Sequence, residues 1–246
     1  AGIPVFADSH ASREREWELA REFLAQHSEF LLDDGSHLIR LAHDTVACPG
    51  VLDALVGAAE ETTSGLRPLR SFDLRIPVLA SNDARSKTLF DNAYGTGQSC
   101  WTTILDLIDP RGVGAPVAGM SIVVIGYGDV GRGCARFGAA LGARVTVVEL
   151  DPVRALQASM DGFAVASLEE AAASAGMLIS ATGERSTIPL SALEAAPDGA
   201  IVTVAGGVDG EVSIDEAVAA SWVMAESGDP HVQALTSPSG KTLRVL

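Results

Sequence analysis

Glycines and a carboxylate at fixed spacing give this sequence its clearest chemical signal. An apolar run at 122–125 ends on Gly126-Tyr-Gly128-Asp-Val-Gly131, and Glu149 follows eighteen residues later. In such a fingerprint the first glycine allows a tight turn, the second admits a pyrophosphate, and the third packs helix against strand. A carboxylate about twenty residues further on binds a ribose. The pattern predicts a dinucleotide site with its diphosphate at a helix N-terminus.

The residues around this motif favour NAD over NADP. Glu149 would repel a 2′-phosphate, and no arginine directly follows it. Asp129 and Val130, which lie between the glycines, are included in the predicted cofactor site. The alternative is a glycine-rich strand, turn and helix that binds no cofactor, because a glycine motif alone is weak support for a site.

Other polar residues follow predicted strands or stand at helical spacing. Asp34 lies just past the apolar run 30–32, and open α/β sheets bind ligands at the carboxyl ends of their strands. The cluster Glu-Glu-Thr-Thr-Ser-Gly at 60–65 has, by composition alone, the character of a solvated helix end. Lys87 and Asp91 are four residues apart, so on a helix they would share a face, where a surface ion pair is the simplest alternative.

Composition excludes several classes of function. The chain has 246 residues, a net charge of -15 and 47% hydrophobic residues, which is the balance of a globular protein with a full core. It lacks the basic stripe that would offset the phosphates of a nucleic acid or an anionic membrane. We therefore expect neither a nucleic-acid partner nor a membrane partner.

The cysteines and the N-terminus indicate the cellular compartment. Cys48, Cys100 and Cys134 have no paired spacing, which predicts core thiols in a reducing compartment and no metal site. No apolar stretch approaches transmembrane length, and the N-terminus lacks the basic-then-apolar form of a signal peptide. These features predict a cytoplasmic protein.

Alternating strands and helices must position the chemical residues. The predicted strands are 1–6, 30–32, 75–80, 122–125, 145–148, 163–165, 177–180 and 200–203, with a final strand near 246, and the predicted helices are 12–27, 95–109, 130–141, 152–160 and 168–173. This alternation indicates an α/β fold with a Rossmann-type, doubly wound parallel sheet. Thr182 and Gly183 follow the strand at 177–180 and are assigned to the cofactor site.

Four motifs in matching order and spacing resemble those of S-adenosylhomocysteine hydrolase. They are Asp33-Asp-Gly35, Glu60-Glu-Thr-Thr-Ser-Gly65, Asn82-Asp…Ser-Lys87…Phe-Asp91-Asn92-Ala-Tyr-Gly95 and Gly126-Tyr-Gly-Asp-Val-Gly-Arg-Gly-Cys-Ala135. The likeness covers essentially the whole chain. It implies oxidation of a ribose 3′-hydroxyl with tightly held NAD, which acidifies the C4′ proton so that homocysteine can be eliminated and water added before the ketone is reduced.

The resemblance implies a role for each matching residue. Lys87 matches the base or orienter at the 3′-hydroxyl, and Asp91 matches the carboxylate that binds that ribose. Asp34 matches the acid/base near C4′, and Glu61 matches a substrate-binding carboxylate on the ribose or adenine side. The residues that match cofactor contacts are Thr62, Thr63 and Asn92, of which Asn92, beside the nicotinamide, is also counted as catalytic.

Departures from the family pattern favour the hypothesis of a short, diverged member. Family segments before residue 1 and after Leu246, including a histidine that acts at C4′, have no counterpart in this sequence. The family's Gly-His-Phe-Asp loop corresponds to 206–209, so Gly207 stands where a second active-site histidine is expected. His37, three residues after Asp34, is the most suggestive remaining histidine, with a solvated helix-end residue as the alternative.

These observations predict a domain order and three alternative functions. We expect a truncated substrate-binding domain at 1–94, a connecting helix and hinge at 95–120, and an NAD-binding domain at 121–246. The first hypothesis is an NAD-dependent enzyme that oxidises the sugar of an adenosine-like nucleoside and then reduces or epimerises it. The alternatives are a true S-adenosylhomocysteine hydrolase and a non-catalytic NAD-binding paralogue. Open sheet edges predict a homo-oligomer, either a dimer or a tetramer.

Overall fold

The computed structural model describes residues 2–8, 11–114, 116–208 and 210–246. The chain divides into two compact units, Ala1–Lys87 and Thr88–Leu246. The strand expected at 1–6 is wrong for its described residues, which form neither helix nor strand and leave Ile3 88% exposed. Apolar residues alone do not make a strand where no neighbouring strand pairs with them.

The first unit is a three-stranded parallel sheet with helices. Its elements are α1 (Arg13–Leu24), β1 (Phe30–Asp33), α2 (His37–Ala42), α3 (Val51–Ala54), β2 (Gly57–Glu60), α4 (Thr63–Leu69), β3 (Val78–Ala80), a 3₁₀ turn (Ser81–Asp83) and α5 (Arg85–Lys87). The strand order is β1-β2-β3. Asp33 lies opposite Glu60, which lies opposite Ala80, so the three carboxyl ends form one edge of the sheet.

The two faces of this first sheet differ. One face packs into an apolar cluster that includes Leu31, Ile39 and Ala58. The other face exposes Phe30 and Leu32 at 69% each. Parallel sheets are normally covered on both faces, so this face is an unusual apolar surface for the described chain.

Two predicted elements of the first unit are shorter than expected. Ser12 is the N-cap of α1, because its side-chain oxygen accepts the N–H of Arg15 at 3.3 Å. The helix nevertheless ends at Leu24 instead of residue 27, and His27 has a φ of +52° that no helix tolerates. The strand expected at 75–80 begins only at Val78, immediately after a proline, which has no N–H to donate to a ladder.

The second unit is built on an eight-stranded sheet. Its elements are a π-helix (Thr88–Thr96), α6 (Gly97–Ile108), β4 (Ser121–Ile125), α7 (Asp129–Ala140), β5 (Arg144–Val148), α8 (Pro152–Met160), β6 (Ala164–Val165), α9 (Leu168–Ala172), β7 (Met177–Ser180), α10 (Leu190–Ala195), β8 (Ile201–Val204), α11 (Ile214–Ala219), β9 (Val223–Glu226), β10 (Gln233–Thr236) and β11 (Thr242–Val245). The order is β6-β5-β4-β7-β8-β11-β10-β9. The first six strands in this order, β6, β5, β4, β7, β8 and β11, run parallel to one another. β10 is antiparallel to both of its neighbours, β11 and β9.

This topology confirms the predicted Rossmann-type fold. Along β4, Ile122 and Val124 enter one core cluster while Val123 and Ile125 enter the other, so both faces of the strand are buried. The chain winds outward from β4 to β5 and β6, then returns to place β7 on the other side of β4. Ligands of such sheets bind at the carboxyl ends of the strands, at the point where the winding reverses.

The start of the second unit differs from the predicted helix at 95–109. Helical structure begins at Thr88 as a π-helix, and the α-helix α6 starts at Gly97. A Cβ at Gly97 would lie 2.8 Å from the main chain of Gly133 in α7. The two helices therefore approach each other through glycines, a contact that apolar periodicity alone does not reveal.

Candidate functional site

The glycine motif has the geometry of a dinucleotide turn. Gly126 adopts a φ of +92°, which favours glycine, and a Cβ at Gly131 would collide with the carbonyl oxygen of Gly126. Beside Gly128 a Cβ would meet only the end of the Arg154 side chain, at 3.7 Å. The first and third glycines are thus required by the fold itself, whereas Gly128 keeps space open for a ligand.

The helix that follows this turn begins without a side-chain cap. Gly128 is the N-cap of α7 and makes no capping hydrogen bond from a side chain, so N–H groups of the first turn remain for an anion. Arg132 forms an ion pair with Asp129 at 2.6 Å, and its buried Nε has no partner among the described residues. Open space, helix N–H groups and a cation together fit a diphosphate.

The carboxylate of Glu149 lies beside the glycine turn. It accepts main-chain N–H groups from Tyr127 at 2.6 Å, Leu150 at 2.7 Å and Asp151 at 2.9 Å. These bonds fix its orientation at the end of β5, and a carboxylate retains lone pairs for further donors. The arrangement fits the ribose-binding role predicted from the sequence.

Tyr127, the residue between the first two glycines, anchors the turn to its surroundings. Its hydroxyl donates to the carboxylate of Asp161 at 2.8 Å, at the C-cap of α8. Burial raises the pKa of the Tyr127 hydroxyl, and the hydrogen bond to Asp161 acts in the same direction. The phenol therefore stays neutral and serves as a structural donor.

Thr182 and Gly183 lie just past the carboxyl end of β7. Their N–H groups donate to the buried carboxylate of Glu211, at 3.3 Å and 3.2 Å. Sequence reasoning did not identify Glu211, because 28 residues separate it from Gly183. Gly207, which stands where the resembling family has a histidine, is exposed, and Asp209 of the same loop lies outside the described residues.

The two aspartates at the end of β1 differ in environment. Asp33 is buried and accepts the N–H groups of Ile39 at 2.7 Å and Asp34 at 3.0 Å. Burial raises the pKa of the Asp33 carboxyl, while the N–H donors act against that rise. Asp34 is exposed, so of the pair it is the one that a substrate can reach.

Glu60, the last residue of β2, is a fully buried carboxylate that connects two loops. It accepts N–H groups from Gly35 at 2.9 Å and Ser36 at 2.8 Å, in the loop after β1. It also accepts the N–H of Thr62 at 2.9 Å and the Thr62 hydroxyl at 2.6 Å. A Cβ at Gly65 would collide with the Glu60 side chain, so the cluster at 60–65 is an ordered turn from β2 into the first turn of α4, packed around a buried carboxylate, and not a solvated helix end.

Glu61 and Lys87 form an ion pair of 2.8 Å in the first unit. The Lys87 side chain is 18% exposed and the Glu61 side chain 38%. The Lys87 ammonium also donates to the amide oxygen of Asn82 at 3.4 Å, and the Thr63 hydroxyl donates to that oxygen at 3.2 Å. The structure therefore brings Glu61, Thr63 and Lys87 into one polar group, with Asn82 as a member that the sequence analysis did not assign.

Asp91 and Asn92 belong to the π-helix of the second unit. Asp91 is exposed and Asn92 is buried. The α-helical spacing considered for Lys87 and Asp91 does not apply, because α5 ends at Lys87 and wider π-helical bonding begins at the next residue. His37 is the exposed first residue of α2, with Nδ1 3.3 Å from a nitrogen of Arg40.

The described residues lack both a metal-binding cluster and a membrane-spanning helix. No group of three or more histidine, cysteine or acidic residues there could hold a metal ion. No helix among those residues is long and apolar enough to span a bilayer. All three cysteines are free thiols.

Known structures share the fold of this chain. A phosphoglycerate oxidoreductase from Vibrio cholerae O395 superposes with a TM-score of 0.54 at 15% identity, covering 80% of this chain and 69% of that one. The dipicolinate synthase A chain from Bacillus subtilis gives 0.52 at 16% identity, covering 69% and 56%. At such low identity the likeness concerns the fold alone.

Curated relatives are much more similar in sequence. The chain is 38% identical to an adenosylhomocysteinase from Thermotoga maritima, over all of this chain and 60% of that protein. It is 42% identical to one from Pyrococcus abyssi, over 86% of this chain and 49% of that protein. It is 36% identical to an S-inosyl-L-homocysteine hydrolase from Methanothermobacter thermautotrophicus, over all of this chain and 58% of that protein.

The chain spans only about half of the length of these relatives, between 49% and 60%. A protein-family model matches most of the second unit. Residues 92–246 match the family described as S-adenosyl-L-homocysteine hydrolase, NAD binding domain. The glycine turn, the uncapped helix and Glu149 lie within this match, which confirms NAD as the cofactor. The chain therefore belongs to the S-adenosyl-L-homocysteine hydrolase family.

Proposed function

We propose that this protein is an NAD-dependent enzyme that oxidises the ribose 3′-hydroxyl of an adenosine-type nucleoside to a ketone and then reduces or epimerises it. The observation that carries the proposal is the ion pair between Lys87 and Glu61, with Asn82 beside it. The Lys87 ammonium is largely shielded from solvent, and the Glu61 carboxylate holds it in place. A lysine in such a setting can orient an alcohol and exchange its proton.

The second unit would bind NAD through the residues already described. The turn at 126–131 and the start of α7 would receive the diphosphate, with Asp129 and Val130 in the first helical turn. Glu149 would accept the adenosine ribose hydroxyls. Bound NAD supplies the hydride acceptor for the alcohol and the hydride donor for the return step.

Other residues would manage protons and orient the sugar. A ketone acidifies the C–H bonds next to it, and Asp34 is our candidate base for C2′ or C4′ because Asp33 is buried and occupied by main-chain donors. Asp91 is assigned to the ribose. Asn92, Thr62 and Thr63 are assigned to the cofactor.

A second candidate function is hydrolysis of an S-nucleosylhomocysteine. The names of the relatives favour it, since they include adenosylhomocysteinases and an S-inosyl-L-homocysteine hydrolase. Gly207 argues for the first candidate, because glycine has no group that can carry a proton during elimination and hydration. The Lys87 and Glu61 pair argues against a non-catalytic NAD-binding paralogue, which has no use for a proton-exchanging lysine.

We further propose a cytoplasmic homo-oligomer, either a dimer or a tetramer. The exposed apolar face around Phe30 and Leu32 supports association, since a soluble protein seldom leaves such a face open. Light scattering at micromolar concentration tests this assignment. A monomer would contradict it.

The decisive assay separates the two candidate reactions. Purified protein with NAD is incubated with adenosine, inosine and the two corresponding S-nucleosylhomocysteines, while reduced nicotinamide, sugar isomers and free homocysteine are measured. We expect a keto or isomerised sugar to form faster than homocysteine is released. Rapid homocysteine release without such products would establish the hydrolase instead.

Two variants test the site within the same assay. Lys87→Ala should lose activity by ~100-fold or more, as is typical when a positioned acid or base is removed. Arg13→Ala removes an exposed cation from the first turn of α1 and should retain full activity. Full activity in Lys87→Ala would remove the site assignment.

A further inference from the structure

We propose that Glu211 is a positioning residue for NAD: its carboxylate shapes the loop at Thr182 and Gly183 so that this loop receives the nicotinamide half of the cofactor. Glu211 itself is fully buried and would not touch the ligand. The inference concerns NAD binding, not the sugar chemistry proposed above. A chain that binds NAD but oxidises no nucleoside would contradict the proposed function and leave this inference intact.

The contacts of Glu211 converge on one short segment. Its Oε2 accepts the Ser180 hydroxyl at the end of β7, the N–H of Thr182 at 3.3 Å and the Thr182 hydroxyl at 3.0 Å. Its Oε1 accepts the N–H of Gly183 at 3.2 Å. All four donors lie between Ser180 and Gly183, so removal of the carboxylate would release this loop before any other segment.

The main chain of Glu211 is itself fixed. Its carbonyl accepts the N–H of Ile188 at 2.9 Å, and Gly210 accepts the N–H of Ser186 at 2.7 Å. A parallel bridge between Ile188 and Val212 continues this ladder. Because these backbone hydrogen bonds hold Glu211 in place, its carboxylate has a fixed position against which the loop is ordered.

Gly206, which follows β8, leaves space for the Glu211 carboxylate. A Cβ at Gly206 would collide with Oε1 of Glu211. Glycine is thus required at 206 because the buried carboxylate occupies the space of a side chain. A charge in such a place is unfavourable unless donors satisfy it, and the satisfying donors are those of the β7 loop.

The position of this loop indicates which half of NAD depends on it. The winding of the sheet reverses between β4 and β7, and a dinucleotide lies across the crevice at that point. Glu149 and the glycine turn belong to the β4 and β5 side, which receives the adenosine half. The loop at Thr182 and Gly183 follows β7, on the other side of the reversal, and so corresponds to the nicotinamide half.

The test compares two ligands on one variant. Glu211→Gln preserves shape but replaces one acceptor oxygen by a donor, which opposes an N–H or hydroxyl of the loop. In titration calorimetry with nucleotide-free protein, we expect the Kd for NAD to rise about tenfold or more, the effect of losing one buried acceptor. The Kd for AMP should not change, since AMP contains only the adenosine half.

A matched variant and a stability measurement complete the test. Glu149→Gln should weaken NAD and AMP together, because it acts on the adenosine ribose. Unchanged NAD affinity in Glu211→Gln would overturn the inference. Equal losses for NAD and AMP in that variant, with a lowered melting temperature, would assign Glu211 a general structural role and overturn it as well.

A milder substitution covers the case in which Glu211→Gln does not fold. Ser180→Ala removes a single donor to Oε2 and leaves the carboxylate in place. We expect a selective rise of ~threefold in the Kd for NAD, in the range of one weakened hydrogen bond. Identical NAD and AMP affinities in this variant and the wild type would contradict the coupling between the carboxylate and the loop.

Discussion

Among the described residues, each unit has a fully buried glutamate that orders a loop at the carboxyl end of a parallel strand, and the two are built alike. Glu60 and Glu211 both accept four donors, of which two come from the N–H and hydroxyl of a single threonine, Thr62 or Thr182. Each lies against a glycine whose Cβ would collide with it. The same chemical device orders a loop in both units.

The two glutamates differ in what they order. Glu60 ends β2 and connects the loop that follows β1 to the loop that follows β2. The next residue, Glu61, reaches Lys87, so this device is linked to candidate acid and base groups. Glu211 comes from a separate segment and orders the loop after β7, in the NAD-binding unit. In the function proposed above, Glu60 would order the unit that carries the acid and base groups, and Glu211 orders a loop of the NAD-binding unit.

The largest effect should come from Gly128→Val, which should remove NAD binding by the second unit and leave the first unit unchanged. The protein's own atoms leave room beside Gly128, so stability should be retained while the pyrophosphate is excluded. We expect NAD affinity to fall ~100-fold or more, equivalent to about 2.7 kcal/mol, by calorimetry. Gly114→Ala, an exposed glycine in the same unit, is the control. Wild-type affinity in Gly128→Val would refute the assigned diphosphate site.

Glu60→Gln should affect stability as well as the candidate site. An N–H group of half-buried Gly35 or Thr62, or of buried Ser36, would face an amide donor, and one unsatisfied buried group costs about 1–3 kcal/mol. We expect urea unfolding to show a loss of this size and kcat to fall, while AMP affinity stays unchanged. An equal loss of AMP affinity would show that the two units do not depend on separate glutamates.

The smallest effect concerns the pH dependence of Asp33. Burial raises the pKa of this carboxyl in the folded state, so the folded chain keeps the proton at pH values where the unfolded chain has lost it. Its contribution to stability is complete below the unfolded pKa of ~3.9 and declines as the pH rises through the folded value. Asp33→Asn should remove that decline in urea unfolding measured across this window. The exposed Asp34→Asn should preserve it.

In the second unit, the elements that were predicted well are those set by residues close together in the sequence. The run 122–125, the glycines after it and Glu149 lie within one strand, helix and strand unit, so their spacing alone fixes the geometry. β11 was expected near residue 246 and lies at Thr242–Val245. β9 and β10 were missed, because neither Val223–Glu226 nor Gln233–Thr236 is a clear apolar run.

The first unit was less predictable for a physical reason. Its central strand, Gly57–Glu60, has the sequence Gly-Ala-Ala-Glu, which consists of poor strand formers. Pairing with β1 and β3 on both sides imposes the extended conformation. Glu60 belongs to a motif that the family resemblance picks out, but its four donors lie in two loops that only the folded sheet brings together.

The proposed chemistry is tested most directly by the ultraviolet spectrum of the purified protein with NAD, recorded before and after addition of adenosine. We predict that absorbance of reduced nicotinamide appears with the wild type and with Arg13→Ala, and not with Lys87→Ala. A wild-type spectrum that stays unchanged, from protein shown by calorimetry to bind NAD, would contradict oxidation of the nucleoside sugar by this chain. Reduction that proceeds equally well in Lys87→Ala would contradict the role assigned to the Lys87 and Glu61 pair.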